Sequence, residues 1–177
     1  MNSVGNLTEE EITQVLAYAG LILVAFELVR SLIIKPVKAF YANVTFGKGI
    51  PFKSYEEDVL SRHKNEFEAC LLYLRDFMKA IDDDDFQSIQ ELRRHRNELA
   101  HDLAYKLPDL KIESYARLFK ASDRALFKLS NHQTYIEIGA NPEFKDKGID
   151  WNTVEGHEYI IFKEVLSKIQ GLKNRLQ

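Results

Sequence analysis

The chain has one cysteine, four prolines, eight glycines and one tryptophan in 177 residues. A lone thiol, Cys70, excludes an internal disulfide and fits a reducing, cytoplasmic setting. Cys70 shares a helical stripe with Phe67, Leu71, Leu74 and Phe77, which makes it a core thiol, and no cation on that face would activate it as a nucleophile. The scarcity of proline and glycine argues against a turn-rich β architecture and for long helices. No pair of the five histidines has metal-ligand spacing on one face, so neither metal nor cofactor is expected. The start, Met1-Asn2-Ser3-Val4-Gly5-Asn6, carries no basic residue and resembles no secretory signal. A net charge of −3 excludes a constitutively basic nucleic-acid coat, so any nucleic-acid contact has to come from a local patch.

What is present is an ordinary soluble composition, 45% hydrophobic and 29% charged, long enough to build one substantial core. The expectation is a single all-α domain over residues 1–177, a helical bundle of four to five helices. Thr8 and Glu11 form a capping-box pair, so a first helix starts there and runs to about Lys35, where Pro36 ends or kinks it. The charge-free stretch from Val15 to Phe26 has the length of a buried helix rather than a membrane span, and Glu27 and Arg30 are spaced to pair. Peripheral membrane anchoring through residues 12–34 is the weaker alternative. Residues 40–46 read as a further helical turn, and Gly47-Lys48-Gly49-Ile50-Pro51 as a loop that lacks the remaining elements of a phosphate-binding loop.

A second helix is expected over residues 55–81. Asp82-Asp83-Asp84-Asp85 then resembles a metal cluster only superficially, because consecutive turn residues do not converge on one ion. Asp84 with Gln87 reads as a capping box for a third helix, residues 85–106. A fourth helix follows over 110–130, an alternating segment at Gln133–Ile138 reads as a short extended piece, residues 139–150 as a surface loop, and 155–176 as the last helix. His63, His132 and His157 read as solvated.

The third helix carries a conflict. Its apolar stripe runs Ile89, Leu92, Leu99, Leu103, and Arg96 occupies the missing rung. A guanidinium cannot discharge, so this placement requires a partner or ligand. At about 100° per residue, Arg93, Asn97 and His101 form a polar ridge along the edge of that stripe. The plain reading is a snorkelling or ion-paired Arg96 and an exposed His101.

The segment Arg96-Asn97-Glu98-Leu99-Ala100-His101 resembles the hallmark of the HEPN superfamily of small all-α domains: an arginine, often followed by a polar residue, with a histidine four to six positions on, late in a core helix. The match is best over residues 55–130. The resemblance implies a metal-independent endoribonuclease acting on RNA, commonly a homodimer that brings two motifs into one cleft, in toxin–antitoxin, phage-defence or abortive-infection systems where an antitoxin protein is a partner. It implies His101 as general acid/base, Arg96 on the scissile phosphate, Asn97 orienting one or the other, and Arg93 and Arg94 steering the RNA backbone. One departure stands out. The subgroup paired with nucleotidyltransferase antitoxins carries a tyrosine two positions after the histidine; Leu103 stands there, and Tyr105 is the nearest tyrosine. A non-catalytic helical interaction or dimerisation domain is the alternative.

Overall fold

A computed structural model describes residues 8–43, 53–106, 112–139 and 141–176. Among these, every regular element is helical and none is a strand. The helices are α1 (Glu9–Asn43), the single turn α2 (Tyr55–Asp58), α3 (Glu66–Asp76), α4 (Asp83–Lys106), α5 (Ile112–Thr134) and α6 (His157–Leu176). The loop expected at Gly47–Pro51 lies outside the described residues.

α1 is the axis of the bundle. The capping box forms as expected: Thr8 N donates to Glu11 Oε2 at 2.7 Å, and Glu11 N donates to Thr8 Oγ1 at 3.2 Å. The helix does not stop at Pro36 but continues through it to Asn43, absorbing residues 40–43 of the separate turn. Pro36 donates no bond to the preceding turn, a defect of about 3 kcal/mol in an isolated helix. Burial on either side of it, at Ile33, Ile34 and Val37, offsets that loss. α6, α3, α4 and α5 all pack on α1, which accounts for its broad apolar surface. By length and composition α1 is apolar enough to cross a membrane, and it is also the helix on which α3, α4, α5 and α6 pack.

The second helix is interrupted. A 3₁₀ turn at Leu60–Arg62 and an extended His63 separate α2 from α3. The polar run Ser61-Arg62-His63-Lys64-Asn65 gives a continuous helix nothing to bury, and each half has its own cap. Ser54 and Glu57 form a capping box, and Asn65 Oδ1 accepts from Glu68 N at 3.3 Å. His63 is not simply solvated, because its Nδ1 accepts from Asn65 N at 3.0 Å. α3 ends before Phe77, where Lys79 takes a left-handed conformation (φ 54°) and Ala80 N closes on the Leu74 carbonyl at 2.9 Å.

The cap of α4 sits two residues earlier than expected. Asp85 N donates to Asp82 Oδ1 at 2.9 Å and Asp82 N to Asp85 Oδ2 at 3.2 Å, so the box is Asp82/Asp85, not Asp84/Gln87. α5 runs on to Thr134 and passes into a π turn at Tyr135–Gly139 in place of an extended piece. A lone extended segment would leave its backbone groups unpaired, whereas continuing the helix pairs them. Here the ring of Tyr135 lies so close that a Cβ at Gly139 would meet its Cδ2 at 2.5 Å, so any larger residue at 139 would require that ring to shift.

Candidate functional site

α4 positions the motif. Ile89, Leu92 and Leu99 are fully buried and pin one face of the helix into the core, with Leu103 packed at its edge. Arg96 lies on that face with 29% of its side chain exposed and finds its compensation inside the chain. Its Nη2 donates to Glu27 Oε1 on α1 at 3.0 Å, its Nη1 donates to Asn97 Oδ1 at 3.2 Å, and its guanidinium lies 5.1 Å from the Phe26 ring centroid. Glu27 also accepts from Arg30 Nη1 at 3.4 Å, so the expected Glu27–Arg30 pair forms and is shared with α4. Coulombic attraction and the ring face together offset the desolvation of the charge. One donor stays unmatched: Arg96 Nε is buried and donates to no acceptor among the described residues.

The polar ridge is real and lines a groove. Arg93, Asn97 and His101, with Gln90, Arg94, Glu98 and Asp102, line an open depression of about 430 Å³ on the outer face of α4. Arg96 does not line it and reaches it only through Asn97. Arg93 is already committed, since its Nη1 donates to Glu68 on α3 and its guanidinium lies 5.1 Å from the Phe67 centroid. Gln90 Nε2 holds the other Glu68 oxygen at 2.6 Å. Arg94 is exposed, with a loose 3.7 Å pair to Glu91. His101 is exposed and makes no hydrogen bond to the described residues.

Asp102 lines the same groove and departs from helical geometry, which no local spacing foretells. Its φ of −114° and ψ of 18° leave the helical region, so α4 kinks directly after His101. That sparsely populated region is where many active-site residues sit. The break falls directly beside the histidine, and both residues line the groove.

The other histidines and acids divide differently from the sequence reading. His132, expected to be solvated, is half-buried, and desolvation pulls its pKa below the usual imidazole value. His157 is exposed as expected. Among the described residues no group of three or more His, Cys, Asp or Glu side chains is placed to hold a metal ion. The acidic run instead ties α4 to α5. Asp85, only 3% exposed, accepts from Arg124 Nε at 3.0 Å and Lys128 Nζ at 2.6 Å, and Asp82 accepts from the same two side chains at 2.8 and 2.9 Å. These bonds hold the Asp82 carboxyl well below the usual carboxylate range, the Lys128 contact being the largest cause.

Cys70 is a buried thiol as expected, and burial pushes its pKa up. It lies 3.2 Å from the Tyr55 hydroxyl. Such a thiol is not poised for nucleophilic attack.

No protein-family model, no curated protein and no solved structure matches this chain.

Proposed function

We propose that the protein is a metal-independent endoribonuclease of HEPN type, with His101 as general acid/base at the ribose 2′-hydroxyl or the leaving 5′-oxygen. The observation that supports this best is the groove in which Asn97 and His101 stand together beside a helix kink, with Arg96 bonded to Asn97 behind them. An imidazole can both accept and donate a proton and needs no metal to do so. Arg94 is the cation of the groove most available to a phosphate, because Arg93 is held by Glu68. Glu98 and Asp102 balance the two arginines, so one groove alone offers a polyanion little net attraction. On this reading a second copy completes the site by facing its own arginines and histidine across the cleft. A role as a toxin or defence protein restrained by an antitoxin follows from the same reading.

A second reading is favoured by one specific observation. Arg96 is satisfied largely within the chain, by Glu27 and Phe26, as a structural arginine would be. The protein would then be a non-catalytic helical interaction domain that uses Arg96 to lock α4 onto α1.

One experiment separates the two. Labelled RNA is incubated with the purified chain in EDTA, beside His101→Ala and Arg94→Ala. The nuclease reading expects cleavage by the wild type and its loss in His101→Ala, with an unchanged thermal midpoint. A wild type that leaves every RNA intact, and whose expression does not slow growth, overturns it.

A further inference from the structure

Away from α4, three helices enclose an apolar pocket of about 350 Å³. Leu32 and Phe40 of α1, Leu74 and Met78 at the end of α3, and Leu129 of α5 form its walls. The π turn closes one side with Ile136. The volume is within the range of small-molecule sites and corresponds to the liquid share of roughly twelve water molecules. Water gains few hydrogen bonds against such walls, so an apolar occupant is favoured over solvent.

The polar groups converge at one edge. His132, Gln133 and Glu137 stand there, and no lysine or arginine is among the described lining residues. Gln133 Nε2 donates to Glu137 Oε1 at 2.9 Å, which fixes the carboxylate and leaves its second oxygen without a hydrogen bond to the described residues. His132 makes no hydrogen bond there either, and burial favours its neutral form, which offers one ring nitrogen as an acceptor. An edge with an acid, an acceptor and no cation repels a carboxylate head and accepts an ammonium. The π turn that follows α5 places Ile136 in the wall and Glu137 at the rim in a single stretch.

The geometry points to a binding site for a small apolar amine, its hydrocarbon part held between α1, α3 and α5 and its ammonium held by Glu137 and His132. The site is independent of the groove on α4.

The test is calorimetric titration of the full chain with three molecules of one length: n-octylamine, n-octanol and octanoate. Octylamine is expected to bind tightest, octanol about tenfold more weakly for want of the charge-assisted bond, and octanoate not measurably. Glu137→Gln is expected to bring octylamine down to the level of octanol while leaving octanol unchanged. Ala39→Phe, which fills the pocket from α1, is expected to abolish binding of both; Met78→Phe serves if that variant fails to fold. The proposal is overturned if none of the three binds, if octanoate matches octylamine, or if both folded filling variants bind like the wild type.

Discussion

At the start of α4, Asp82 and Asp85 meet Arg124 and Lys128 in four ion pairs, and each of these four side chains has opposite partners across the two helices. Toward the other end of the same helix, Arg94 and His101 look into an open groove with no close partner on another helix among the described residues, while Arg96 is held from behind by Glu27. The first cluster behaves as a clamp, since its charges cancel and one carboxylate is out of water. The second leaves a cation and an imidazole exposed beside a kinked backbone, with one unmatched donor, Arg96 Nε, behind them. Charge that a fold neutralises internally holds the fold together; charge left facing a cleft is available for a ligand.

Breaking the clamp should have the largest effect. Asp85→Ala leaves Lys128 and Arg124 without their buried acceptor and removes half of the capping box. A loss of about 3 kcal/mol in urea unfolding is expected. A loss below about 0.5 kcal/mol would place the cluster with ordinary surface pairs. Arg96→Ala comes next, with about 1–2 kcal/mol lost through the Glu27 bond and the Phe26 contact. In a double-mutant cycle with Glu27→Ala the two losses should fall clearly short of additive.

Acid should weaken the clamp. The folded-state pKa of Asp82 is depressed, so its stabilisation is fully present above the unfolded value near 4 and is lost as pH falls through the folded value. The thermal midpoint should therefore drop below about pH 4, and less steeply in Asp82→Asn. His132 gives a smaller effect in a different window. Its pKa is also lowered on folding, so stability is lost as pH falls from about 7 through 6.5 toward the folded value, and His132→Gln should flatten that slope. The smallest change in stability is expected for His101→Ala, within about 0.5 kcal/mol, because the side chain is exposed and bonded to nothing described. A larger loss would move His101 from the groove's chemistry to the fold.

Local rules gave a good account of where helices start. The Thr8/Glu11 box and the last helix are found where spacing puts them, and the stripe of α4 is buried as its period requires. They did less well on where helices stop. Pro36 is carried through α1, and a polar run splits α2 from α3, though Asn65 and Glu68 stood in the sequence as a capping pair that could have revealed the break. The polar ridge of Arg93, Asn97 and His101 was readable from helix geometry alone, because three residues four apart must share a face. What holds Arg96 was not, since Glu27 lies 69 positions away in the chain.

The sequence by itself determined the helical class, the apolar stripes and the misfit of a permanent cation on one of them, because these follow from side-chain period and charge within one turn of backbone. Tertiary structure alone decided which carboxylate answers that cation, which acids clamp α4 to α5, where α4 kinks, and that His132 is drawn into an apolar wall. Each of those depends on groups distant in the chain being brought into contact, and no local spacing encodes such a meeting.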